Sequence, residues 1–125
     1  IHTCNFMISE KRRVFNNQQT ALRLIHPLRR HLNSIKISKA NSDSHELMKY
    51  LICRQLCKEG KTFLTEAFLL NGKRPDIVIL DDLKVIEILN SETEKQCINK
   101  TLDYPKEFEI ILVDANQEFN EKLIY

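Results

Sequence analysis

The chain has 125 residues and a mass of 14.7 kDa, the size of one domain, which excludes a multidomain machine carrying its own motor. With 42% hydrophobic and 29% charged residues it is neither depleted enough for disorder nor apolar enough for a membrane protein, and no apolar run approaches the roughly 20 residues of a spanning helix. The net charge of +2 conceals a division: residues 1–62 carry twelve Lys/Arg against four Asp/Glu, whereas 63–125 carry seven against thirteen. A basic first half suits a polyanion such as nucleic acid, and clustered carboxylates in the second suit a divalent cation, unless both are simply solvated faces. Cys4, Cys53, Cys57 and Cys97 form no CxxC pair and follow no secretion-like leader, which predicts reduced thiols, no membrane partner and a cytoplasmic setting.

Residues 1–17 show no clean period, and the charged run Glu10-Lys11-Arg12-Arg13 reads as a loop or irregular arm. Between Thr20 and Ile35, the residues Leu22, Ile25, Leu28, Leu32 and Ile35 recur at helical spacing and predict an amphipathic helix. Pro27 must start, kink or split it, because proline lacks the amide donor of a helix interior. After a polar connector, Asp43 with Glu46 three residues later predicts a capping box. The helix it opens would bury Leu47, Met48, Leu51, Ile52 and Leu56, run to about Lys58 and end at Gly60 as a left-handed cap.

From Thr62 the period changes. Residues 62–70 are rich in β-formers, Asn71-Gly72 is a favoured hairpin turn, and 76–80 (DIVIL) and 85–89 (VIEIL) are short apolar runs, together a three-strand meander. Ser91 caps a helix from about Glu92 to Leu102, and 108–113 (FEIILV) reads as a buried fourth strand. A helix between two strands is a crossover, so the last strand is expected parallel to its partner, near the centre of a mixed sheet. The tail 116–125 reads as a short helix or a dimer contact.

Three acids stand out against this order. Glu46 lies in the first turn of the second helix, Asp76 opens the second strand after Arg74-Pro75, and Glu87 interrupts the third strand between Ile86 and Ile88. A carboxylate inside so apolar a strand is costly to bury unless it is paired, hydrogen-bonded or bound to a metal. The hairpin can set Asp76 beside Glu87, and a helix packed on that face would bring Glu46 to them, with Glu66 a fourth acid at the same sheet end. Hard carboxylates without thiolate or histidine partners suit Mg²⁺ or Mn²⁺, ions that assist phosphoryl displacement. Each acid has a structural alternative: Glu46 in its capping box, Asp76 as turn punctuation, Glu87 in an ion pair with Arg74 or Lys84. Asp81 and Asp82 read as exposed turn residues, Cys53 and Cys57 as core thiols, His45 as an exposed cap residue or, since it adjoins Glu46, a site neighbour, and Tyr104 as packing.

Glu46 on a helix, the segment RPDIVILDD and then KVIEILNSE resemble the PD-(D/E)xK nuclease superfamily, the restriction-endonuclease-like and Holliday-junction-resolvase-like enzymes. The resemblance spans about residues 43–114. It implies an α/β fold with an αβββαβ core, a mixed four-stranded sheet flanked by helices, to which residues 1–42 add a basic N-terminal helix and 115–125 a tail. Glu46, Asp76 and Glu87 match the family's acids in turn, and the resemblance makes them metal ligands for Mg²⁺ or Mn²⁺. Where the family pattern has lysine, two residues beyond Glu87, this chain has Leu89. Lys73, Lys84, Lys95 and Lys100 are nearby; Lys84 lies on the opposite strand face, and Lys95 and Lys100, from the following helix, are preferred as substitutes. The reading implied is a metal-dependent nuclease acting on DNA with limited sequence specificity, with Arg23, Arg29, Arg30, Lys36, Lys39, Lys73 and Arg74 on backbone phosphates and a homodimer if both strands are cut. Two alternatives keep their place: a nuclease-fold module that has lost catalysis and retains DNA binding or assembly, and a plain interaction protein whose basic half meets an acidic partner.

Overall fold

The apolar runs at 77–79 and 84–89 form the centre of a four-stranded mixed sheet in a computed structural model that describes residues 2–28, 30–90 and 94–125. The elements in chain order are α1 (His2–Leu24), α2 (Asp43–Lys58), β1 (Phe63–Thr65), β2 (Ile77–Ile79), β3 (Lys84–Leu89), α3 (Glu94–Thr101), β4 (Glu109–Asp114) and a 3₁₀ turn, Glu121–Ile124. Strands β1, β2 and β3 are successive antiparallel neighbours, and β4 lies parallel to β3 after the α3 crossover. The α/β class, the helix-strand order from α2 onward and the parallel last strand are as expected.

Period-two alternation sorts the sheet into two apolar faces. Phe63, Ile77, Ile79, Ile86 and Ile88 face Met48, Ile52, Cys53 and Leu56 of α2, and Ile124 of the 3₁₀ turn closes that layer. Leu64, Val78, Leu80 and Val85 face the other way, onto Ala21, Ile25 and Phe108. The helix α2 is capped by Ser42 rather than Asp43: the Ser42 hydroxyl accepts the His45 amide at 3.2 Å, leaving Asp43 and Glu46 in the first turn. Its end is as expected. Gly60 has φ +71°, its amide donates to Cys57 O at 3.1 Å, and Lys61 N–H reaches Leu56 O at 3.0 Å, a Schellman closure. The buried face is rotated from the expected one: Leu47 is 59% exposed, while His45 and Lys49 are buried.

Four further differences have physical causes. The first helix ends at Leu24, before the expected stripe develops, because Ile25 pairs with Leu69 in an isolated β-bridge and His26 N–H donates to Phe68 O at 2.8 Å. Pro27 then cannot continue a helix, and Leu28 and Leu32 are left exposed. Residues expected to form an irregular arm instead build most of α1, which beside the buried Ala21 is anchored by polar groups: Asn17 donates to Asp81 O at 2.8 Å and Gln18 to Asp81 Oδ1 at 2.6 Å. A helix held that way shows no apolar period to read. Strand β1 stops at Thr65 because Glu66 adopts a left-handed φ of +54°. Strand β4 sits at the edge of the sheet, not near its centre, since β2 already has β1 and β3 on its two sides and β4 adds to the free edge of β3. Asp81 is buried rather than exposed, and Cys57 is exposed while Cys53 is buried. Ser91 and Glu92, the expected start of the crossover helix, and Arg29 lie outside the described residues.

The rotation of α2 is open to a direct check. Ile52→Ala should lose about 2–5 kcal/mol of stability in urea denaturation, the cost of a cavity in a closed core, whereas Leu47→Ala should stay within about 0.5 kcal/mol of the parent.

Candidate functional site

Ile77 pairs with Ile86 across the β2–β3 hairpin, so one step further the same register sets Asp76 beside Glu87. Both are buried. The carboxylate of Asp76, just before β2 begins, accepts the amide of Ile88 at 2.7 Å. Glu87 alternates onto the face of Val85, where the Tyr104 hydroxyl donates to its Oε1. Burial first, and then the negative charge of Asp76, push the Glu87 carboxyl up from its ordinary 4.5 to about 7; the Tyr104 hydroxyl and the Lys100 ammonium offset only part of this. Burial and the Glu87 charge in turn raise the Tyr104 pKa, which keeps its hydroxyl a donor. Tyr104 packs against the second apolar cluster, as expected, and in addition hydrogen-bonds Glu87.

Glu46 does not join them. The helix α2 packs on the opposite face of the sheet, against Ile86 and Ile88, and Glu46 at its first turn is occupied by the connector that precedes it. It accepts the Asn41 amide at 2.8 Å, the Ser38 N–H at 3.1 Å and the Lys49 ammonium at 3.1 Å. Burial works against ionisation of Glu46, but these donors outweigh it and hold its carboxyl below the usual range. The gap to Asp76 is spanned by His45, expected in solvent but buried: Nδ1 lies 3.1 Å from Glu46 and Nε2 3.3 Å from Asp76. Burial disfavours its proton, yet Asp76 and then Glu46 outweigh burial and raise its pKa above the ordinary value.

Lys49 is the other residue that pattern reasoning missed. Its side chain is fully buried, with Nζ donating to Lys36 O at 2.9 Å and to Glu46, and standing 3.7 Å from Glu66. Glu66 lies 3.9 Å from the Arg74 guanidinium. A signal for Lys49 was present, since it sits between Met48 and Ile52 in an apolar stretch and three residues after Glu46, the same kind of anomaly as Glu87. The two ion pairs weighed for Glu87 do not form: Arg74 turns to Glu66, and Lys84 lies 4.0 Å from Glu109.

The remaining cations are distributed unevenly. Lys100 is the crossover-helix lysine whose charge reaches Glu87, and Lys95 is exposed on the same helix. Lys100 and Lys73, with Gln96 and Asn99, line an open depression of about 430 Å³, and Lys73 stands 3.6 Å from Asp103. Arg30 is turned inward, donating to the Leu22 carbonyl at 2.7 Å and to the Ile25 carbonyl, and so caps the end of α1. Arg23 reaches Thr20 at 3.2 Å, and Lys36 and Lys39 are exposed on the connector.

Among the described residues, no three His, Cys, Asp or Glu side chains gather closely enough to hold one ion. The donor chemistry at the hairpin nonetheless fits Mg²⁺ or Mn²⁺ as a two-carboxylate set. Asp76 and Glu87 are adjacent hard oxygen donors, and Mg²⁺ commonly takes one or two carboxylates and completes its shell with water and phosphate oxygens. Glu46, its oxygens engaged by four donors, stands outside that set.

The pKa shifts carry a sign that melting experiments can read. Glu87 holds its proton more tightly when folded, so its contribution is present at low pH and lost as pH rises from 4.5 to about 7. His45, also raised, acts in the same direction, whereas Glu46, lowered, stabilises above 4.5 and loses its contribution as pH falls below that. The melting temperature is expected to peak on the mildly acid side and decline towards pH 8, with Glu87→Gln flattening the decline. A profile that Glu87→Gln leaves untouched would mean that this carboxyl ionises normally.

Compared with known proteins, the chain matches no family model, no curated protein and no solved structure. No helix among the described residues is long and apolar enough to cross a membrane.

Proposed function

We propose that the chain is a metal-dependent nuclease that hydrolyses DNA phosphodiester bonds with limited sequence specificity, on a restriction-endonuclease-like αβββαβ core. One observation supports the reading: the buried cross-strand pair of Asp76 and Glu87, whose double ionisation is disfavoured by burial and mutual repulsion and would be favoured by a bound cation. Asp76 and Glu87 would hold Mg²⁺ or Mn²⁺, which when bound supplies Lewis-acid stabilisation of phosphoryl charge and lowers the pKa of water. The chain's own groups fix the ligands. The Ile88 amide and His45 orient Asp76, and the Tyr104 hydroxyl orients Glu87. Glu46 acts through His45 rather than on the ion.

Lys100 supplies the positive charge that Leu89 lacks, with Lys95 further out on the same helix, and Lys73 on the rim of the same depression receives a neighbouring phosphate. Arg74, Arg23, Lys36 and Lys39 extend the backbone contacts, and a homodimer would be the assembly that cuts both strands. A second reading, a nuclease-fold module that binds DNA without cutting it, is favoured by one residue, Leu89 in place of the family lysine.

Incubation with plasmid and short duplex DNA separates the two. Cleavage should require Mg²⁺ or Mn²⁺ and stop with chelator. Asp76→Asn and Glu87→Ala should each lower it by about 100-fold or more, and Lys100→Ala by about tenfold. Intact substrate in every metal, with salt-sensitive binding that Glu87→Ala leaves unchanged, would select the second reading.

A further inference from the structure

The connector between α1 and α2 is stapled along the outer edge of β1. Asn33 N–H donates to Phe63 O at 2.9 Å, and Phe63 N–H returns to Asn33 Oδ1 at 3.0 Å. Lys36 N–H donates to Thr65 Oγ1 at 2.9 Å, while that hydroxyl donates to Ser34 O at 2.8 Å. The buried Lys49 ammonium holds Lys36 O from the other side at 2.9 Å. Between this stapled segment and Phe68 lies a cleft of about 290 Å³, with Leu28, Ile35 and Phe68 as its apolar walls and His31, Lys36 and Glu66 among its polar ones.

Leu28 is 72% and Phe68 46% exposed, so large apolar side chains line a concavity instead of filling it, and the staples keep it from collapsing. The Arg74 guanidinium lies 5.5 Å from the centroid of the Phe68 ring. The acid in the lining, Glu66, is answered by Lys49 and Arg74, and Lys36 adds an exposed positive charge at the rim. One lining residue connects to the carboxylate pair through the backbone: Glu66 N–H donates to the main-chain carbonyl of Asp76 at 3.1 Å. Pockets for drug-sized ligands run from about 300 Å³ upward, so this cleft, at the lower end of that range, has room for one flat ring system.

We propose that the cleft binds one unpaired nucleobase of a DNA strand, with Phe68 as the stacking face and Lys36 and Arg74 on the flanking phosphates, so that single-stranded or locally unpaired DNA is the preferred substrate. The placing of the neighbouring phosphate at Asp76 and Glu87 rests on the nuclease reading; the capture of the base does not.

The test is a titration, with chelator present, of a fluorescent single strand, its blunt duplex, and an abasic strand of equal length. The single strand should bind about tenfold more tightly than either of the others, and Phe68→Ala and Leu28→Ala should each remove most of that advantage while leaving the duplex and abasic affinities within about twofold. Leu28 is so exposed that its truncation leaves the fold intact, and a melting curve checks the same for Phe68→Ala. Equal affinity for base-bearing and abasic strands, or indifference to both substitutions, overturns the proposal. Cleavage is scored separately: a chain that cuts nothing but binds strands through base and Phe68 upholds the cleft, and a chain that cuts without either dependence removes the cleft and leaves the nuclease reading standing.

Discussion

A continuous line of charge runs from the exposed Arg74 inward through Glu66, Lys49, Glu46, His45 and Asp76 to Glu87, and each member is stabilised by the opposite charge of the next until the last. Four carboxylates face three cations along it, counting His45 in the protonated form that its neighbours favour. One negative charge is in surplus. It falls at Glu87, whose neighbour is another carboxylate, and this is the group driven up to about 7. Burial makes such an imbalance expensive, because a charge out of water needs a partner at close range. A proton relieves it at one pH, and a cation does so at another.

The sheet creates this line by separating what linear reasoning brought together. Alternation gives Ile86 and Ile88 to the α2 face and Glu87 to the other, so an acid on α2 cannot meet Glu87 without passing round the end of the hairpin. His45 makes that passage, one residue before Glu46 and long enough to reach Asp76. Lys49, one turn further along α2, performs the corresponding task towards the connector and Glu66, tying three segments of different local structure to one ammonium. Its removal would leave the buried Glu66 and the half-buried Glu46 short of a partner, a worse outcome than the loss of an ordinary surface pair.

Much of this was legible where local rules and the global fold agree. The runs DIVIL and VIEIL became β2 and β3, Gly60 ended α2, the crossover made β4 parallel, and Glu87 announced itself as a charge in an apolar strand. The misreadings share a different cause, namely tertiary contacts that local pattern does not encode. The first helix ends where Ile25 finds Leu69, far along the chain, and its solvent-facing turns are held by Asn17 and Gln18 rather than by an apolar stripe. The face that α2 buries was drawn from its apolar residues alone, although a lysine whose charge is answered from two other segments is as much a core residue as they are. Tyr104 lies seventeen residues from Glu87, beyond the crossover, and no spacing rule connects them.

Leu89 acquires a physical meaning from the same accounting. On β3 it shares the parity of Glu87, and a lysine there would have set a cation two residues away on the same side of the strand. Such a charge would favour the ionised form of Glu87 and cancel the surplus from within. With leucine in that place, the positive charge nearest to Glu87 by effect is Lys100, on an exposed turn of α3, and it offsets only a fraction of the burial and the Asp76 repulsion. The hairpin is thus left with more negative charge than its own residues answer. Under the proposed reading, that deficit is what makes an external divalent cation the most favourable partner for Asp76 and Glu87, and it makes occupancy of the pair depend on pH more steeply than in a site that carries its own lysine.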